Sequence, residues 1–105
     1  ILQASKETPA LLQSKKHTVG IRVPDNLVAR SIVKELGRPV ISTSLPGTIV
    51  EEYCDPEVIF QHFKNRADII IDAGPGGIIP STVIDCTNDE YKLMRQGAGE
   101  WNFYE

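Results

Sequence analysis

The sequence predicts an α/β domain, a mixed twisted sheet with flanking helices. Two stretches with helical apolar spacing alternate with β-branched runs, and two further β-branched runs close the chain as a hairpin. Hydrophobic residues make up 41% and charged residues 24% of the 105 positions, as in ordinary globular proteins and unlike disordered or fibrous chains. That length suits one small domain, residues 1–105, and no shift in composition marks a second.

"HTVGIRVP", residues 17–24, alternates β-branched and polar residues until Pro24 and predicts a strand. "DNLVARSIVKELG" predicts a helix: Asp25 as N-cap, an apolar stripe of Val28, Ile32 and Leu36, and Gly37 where the left-handed C-terminal residue is wanted. "RPVISTSLPG" predicts a short buried strand over residues 40–43 that turns at Pro46-Gly47. "CDPEVIFQHFKNRAD" repeats the helical pattern, with Asp55 as cap, Pro56 in the first turn, and Ile59 and Phe63 apolar. "ADIIIDAG" predicts another strand. "STVIDCT" and "EYKLMRQG", separated by Thr87-Asn88-Asp89, predict an antiparallel hairpin.

A net charge of −3 lacks the footprint of an independent nucleic-acid binder. The local group Lys15, Lys16 and His17, with Arg22 beyond, reads either as a solvated loop or as a phosphate-contacting patch. Cys54 and Cys86 stand 32 residues apart without metal-ligand spacing, which predicts reduced structural thiols and no metal site. Apolar runs are only a few residues long, which predicts no membrane association and a cytoplasmic location. The opening "ILQASKETPALL" has no methionine and predicts that the 105 residues are part of a longer chain.

Residues 72–85, "DAGPGGIIPSTVID", pose a choice between a tight turn and an anion-holding loop. Glycines 74, 76 and 77 would let backbone N–H groups approach an anion. No P-loop ending follows them, and a strand rather than a helix comes next. Ser81 and Thr82 at the strand entrance offer hydroxyls to a ligand or to the turn itself. Ser42, Thr43 and Ser44 end a predicted strand, the edge where ligands collect in open α/β sheets. Arg22 and Arg95 lie in or beside predicted strands, where each either grips a phosphate or carboxylate two-pronged or stands on the surface. His17 and His62 lack a nucleophile partner, and Asp68, Asp72 and Asp85 suit capping and turn roles.

Taken together, "VGIRVPDNLVARSIVKELGRPVISTS", "DIIIDAGPGGIIPSTVID" and "MRQG" resemble the C-terminal portion of the YrdC/YciO family, which includes the threonylcarbamoyl-AMP synthases, over nearly the whole chain. The Ser-Thr-Ser ending is that of the YciO-like branch. The resemblance implies part of a YrdC/RibB-like α/β fold with a concave, positively lined face. It further implies binding of ATP and adenylate, and a place in tRNA threonylcarbamoyladenosine modification. An active member would be a nucleotidyltransferase making L-threonylcarbamoyladenylate from L-threonine, bicarbonate and ATP, with Mg2+ a candidate companion of the ATP. By position the resemblance assigns Arg22, Ser42 and Ser81 to a threonine-like substrate, and Ser44, Thr82 and Arg95 to the nucleotide. The alternative it leaves open is a double-stranded RNA or tRNA-binding module without catalysis. Two departures accompany it: the family's N-terminal segments are absent from these residues, and Leu45-Pro46 stands where synthases place Ala and a nucleotide-binding Asn.

Overall fold

Asn26, the residue immediately before the first helical turn, opens the first helix, α1 (Leu27–Leu36), by accepting a hydrogen bond on Oδ1 from the Ala29 N–H at 3.0 Å. The expected cap, Asp25, sits one residue too early for that bond. It pairs instead with Arg30, whose Nη1 donates to Asp25 Oδ1 at 3.3 Å and to the Pro24 carbonyl at 3.0 Å. Gly37 ends the helix at φ 76°, a left-handed conformation that favours glycine, and its N–H donates to Val33. The expected stripe forms one side of α1. Val28, Ile32 and Leu36, with Leu27 and Ile71, line an open apolar groove.

The computed structural model describes residues 1–45 and 52–101, Glu52 by its backbone alone. The second helix, α2 (Pro56–Phe63), follows its expected grammar: Asp55 Oδ1 accepts from the Glu57 N–H at 2.9 Å, and Pro56 occupies the first turn. Tyr53, in the short turn Glu52–Cys54, lies edge-on to His62 at 5.9 Å between ring centres, and His62 Nδ1 lies 3.0 Å from the Val58 carbonyl oxygen.

The strands differ from expectation more than the helices do. Instead of one mixed sheet, the described residues form two small antiparallel sheets. One pairs β1 (Leu2–Gln3) with β2 (Thr18–Val19); the other pairs β3 (Val83–Asp85) with β4 (Lys92–Arg95). Only Thr18 and Val19 of the predicted strand over 17–24 are paired, and residues 40–43 and 67–74 form no strand. A strand is defined by a neighbouring backbone, and these β-branched segments find none among the described residues. The terminal hairpin forms as expected. Ile1 joins the two ladders: its nitrogen donates to the Ile84 carbonyl at 2.7 Å, and the Cys86 N–H donates back to the Ile1 carbonyl at 2.9 Å.

The chain divides into two compact units. Ile1–Val23 and Ile79–Glu105 form one, with both small sheets; Pro24–Ile78 forms the other, with both helices. No described side chain is fully buried, so in each unit apolar packing is partial. No helix among the described residues is long and apolar enough to cross a membrane.

Candidate functional site: a serine-braced arginine at the end of the hairpin

The hairpin carries an irregularity where chemistry is concentrated. Val83 is opposite Arg95, but Ile84 is opposite Leu93, so Met94 is an extra residue on β4. A bulge of this kind bends the strand and re-aims the side chain beside it. Here that side chain is Arg95.

The Arg95 guanidinium lies along Ser81. Its Nε donates to the Ser81 carbonyl at 2.9 Å, and its Nη2 donates to Ser81 Oγ at 3.2 Å. One edge of the planar group is thereby fixed, while Nη1 has no partner among the described residues and the side chain is exposed. Ser81 Oγ accepts from the cation and keeps its own proton to donate. A hydroxyl polarised by a guanidinium is a better donor, so Ser81 and Nη1 together make a pair of donors suited to a phosphate or carboxylate oxygen.

The residue after Ser81 is committed differently. Thr82 Oγ1 accepts the Gly97 N–H at 3.0 Å and donates to the Gly99 carbonyl. Gln96 Nε2 donates to the same carbonyl at 2.8 Å, and the Ala98 N–H donates to the Pro80 carbonyl at 2.9 Å. At Gly97 the two segments touch so closely that a Cβ would collide with the Pro80 carbonyl oxygen and the Ser81 carbonyl group. The sequence reading did not single out Gln96 or Gly97 for a role of their own. The signal available was the Gly-Ala-Gly spacing directly after "MRQ", which marks close backbone approach.

The structure thus brings Ser81, Thr82 and Arg95 together and gives Thr82 a structural occupation. Arg22 belongs to the same unit, on an exposed segment outside any helix or strand, and makes no hydrogen bond or ion pair among the described residues. Ser42 and Ser44 belong to the other unit and are exposed, and Thr43 Oγ1 donates to the Ser44 carbonyl at 3.5 Å. Pro46 lies outside the described residues.

The glycine-rich stretch does not form an anion nest. The Gly74 N–H donates to Asp72 Oδ1 and the Gly76 N–H to the Cys54 carbonyl, each at 2.9 Å, so two of the amides that would cradle an anion are already used. Gly74 is left-handed at φ 85°, as a turn requires. Asp72 therefore caps a turn, as expected. Lys15, Lys16 and His17 form an exposed turn in which His17 is itself left-handed at φ 57° and Ser14 Oγ accepts the Lys16 and Thr18 N–H groups. Among the described residues no three His, Cys, Asp or Glu side chains gather as metal ligands, and neither Cys54 nor Cys86 is in a disulfide.

Comparison with known proteins gives this geometry a context. The family model Sua5_yciO_yrdC, described as telomere recombination, matches residues 1–97. "Uncharacterized protein YciO" of Escherichia coli strain K12 is 44% identical over 103 residues, 95% of this chain and 50% of that protein. A Haemophilus influenzae protein is 40% identical over 94% of this chain and 49% of its own length. The "Threonylcarbamoyl-AMP synthase" of Bacillus subtilis is 33% identical over 77% of this chain and 24% of the synthase. No solved structure matches the chain. The chain spans about half the length of the YciO relatives it matches. The family match over residues 1–97, with the close agreement to YciO, establishes that this chain belongs to the Sua5/YciO/YrdC family.

Proposed function

We propose that the chain contributes the phosphate-holding wall of a nucleotide site in a protein related to threonylcarbamoyl-AMP synthases and to tRNA modification. The observation that carries this reading is the brace on Arg95: one guanidinium edge fixed by Ser81, with Nη1 and the Ser81 proton left to donate. A fixed cation beside a polarised hydroxyl stabilises charge that develops on phosphate oxygens without having to reorganise during the reaction. The distant synthase relatives supply the reaction class. In it, the threonine amine and bicarbonate combine with loss of water to give an N-carboxylated amino acid, whose carboxylate attacks the α-phosphorus of ATP, and pyrophosphate leaves with the electron pair of the broken P–O bond.

In this reading Arg95 and Ser81 orient the ATP phosphates, and Arg22 is available for the amino acid's carboxylate. Mg2+ would arrive with the phosphates as part of the substrate, since the donors here are a guanidinium and a hydroxyl. The whole protein would adopt the family's YrdC/RibB-like mixed sheet.

The test is pyrophosphate release by the full-length protein supplied with ATP, threonine and bicarbonate. Release that requires all three and falls at least tenfold in Arg95→Ala supports the reading. Absence of release together with absence of saturable ATP binding overturns it. RNA binding that weakens steeply with salt, without ATP binding, would favour an RNA-binding module instead.

A further inference from the structure

We propose that Thr82 is a positioning residue of the anion site: it fixes the backbone that carries Arg95 and makes no contact with the ligand. The inference rests on the anion-site reading of Arg95 and Ser81.

A threonine hydroxyl has one proton and two lone pairs. The Thr82 proton goes to the Gly99 carbonyl, and one lone pair takes the Gly97 N–H. What remains is acceptor capacity, which repels an anionic oxygen. Its neighbour is arranged the opposite way, because Ser81 Oγ accepts from Arg95 and keeps a proton to give. Two adjacent hydroxyls therefore divide the work, one facing the ligand and one tying the scaffold.

The tie falls where the ladder ends. Beyond Arg95 the chain leaves β4, and residues 96–99 are held by the Gly97 N–H on Thr82, the Thr82 hydroxyl on Gly99, the Gln96 amide on Gly99 and the Ala98 N–H on Pro80. Two of these four bonds pass through Thr82. Arg95 is accordingly anchored at both ends by consecutive residues, its guanidinium by Ser81 and its following backbone by Thr82. A β-branched side chain with few χ1 wells suits that role.

The experiment uses the full-length protein and inorganic pyrophosphate as probe, with Thr82→Val, Thr82→Ser and Gln96→Ala, and follows the Arg95 Nε–H resonance by NMR. Thr82→Val should raise the pyrophosphate Kd about fivefold to tenfold, the loss expected for one or two hydrogen bonds in a positioning network. It should also speed solvent exchange of the Arg95 Nε–H in the ligand-free protein. Thr82→Ser, which restores the hydroxyl, should stay within about twofold of wild type on both readouts, and Gln96→Ala should shift both in the same direction by less. If Thr82→Val weakens pyrophosphate binding while the Arg95 Nε–H stays protected, Thr82 touches the ligand directly and the proposal fails. If Thr82→Val does not fold, the Gln96→Ala and Thr82→Ser pair decides: an unchanged Arg95 resonance in Gln96→Ala overturns it. Because exchange is read without ligand, a wild-type protein that binds no pyrophosphate refutes the anion-site reading while the Arg95 signal still tests the tie.

Discussion

Arg95 and Ser81, fourteen residues apart, are joined by two hydrogen bonds, from Nε to the carbonyl at 2.9 Å and from Nη2 to Oγ at 3.2 Å. Both donors come from one edge of a rigid plane, a geometry that an ammonium group lacks. Arg95→Lys should therefore fail to restore binding although it keeps the charge. Each change, to Ala or to Lys, should weaken pyrophosphate binding by about ten- to hundredfold, in line with the roughly 1.5–3 kcal/mol of a charge-assisted bond. Calorimetric titration of the three proteins checks this, and a lysine variant equal to wild type would show that charge alone suffices.

Gly97 and Gly99 are separated by one residue and differ in what surrounds them. A Cβ at 97 meets the backbone of Pro80 and Ser81, which cannot yield as a side-chain tip can, whereas a Cβ at 99 would lie 3.5 Å from Thr82 Oγ1, an ordinary contact. Gly97→Ala should destabilise the full-length protein by about 1–3 kcal/mol, the usual range for overpacking. Gly99→Ala should fall within about 0.5 kcal/mol of wild type. Urea denaturation of both variants is the comparison; equal losses would mean that the close approach at Gly97 has no energetic consequence.

Much of the local grammar was legible in the sequence. The stop at Gly37, the Asp55-Pro56 start of α2, the turn at Asp72 and the terminal hairpin each depend on interactions within a few residues, and such signals survive in a single sequence. The error at α1 was one of position, because Asp25 and Asn26 are both good caps and only the backbone decides which precedes the first turn. The strands at 20–24, 40–43 and 67–74 were less legible, since β-branched composition gives a preference for pairing without naming the neighbour. At the site, Arg95 and Ser81 were identified as separate candidates. Their mutual brace depends on the bulge at Met94, and the occupation of Thr82 depends on where Gly97 and Gly99 lie in space.

The cap assignment has its own test. Asn26→Ala removes the acceptor for the Ala29 N–H and should cost about 1 kcal/mol. Asp25→Ala breaks only an exposed ion pair with Arg30 and should cost about 0–1 kcal/mol. Denaturation midpoints that reverse this order would return the cap to Asp25.

Asp85 ties the hairpin turn to pH. Thr87 donates both its hydroxyl, at 2.6 Å, and its N–H, at 2.9 Å, to Asp85 Oδ1, and these two bonds above all hold the carboxyl below its ordinary value of 3.8. A carboxylate lowered on folding contributes stability above its unfolded value, and that contribution is lost as pH falls through the lower folded value. Stability should therefore drop below about pH 4 more steeply in the wild type than in Asp85→Asn, whose side chain does not titrate. Denaturation midpoints between pH 2 and pH 5 supply the comparison. Parallel profiles would show that the Thr87 bonds do not favour the charged form.

The most direct test of the central claim, that Arg95 braced by Ser81 holds a phosphate, is ATP titration of the full-length protein against its Arg95→Ala and Ser81→Ala variants at fixed ionic strength. Saturable binding that Arg95→Ala weakens about ten- to hundredfold and Ser81→Ala weakens by less, through loss of one donor and of half the brace, is the predicted result. Equal ATP affinity in all three proteins would contradict it.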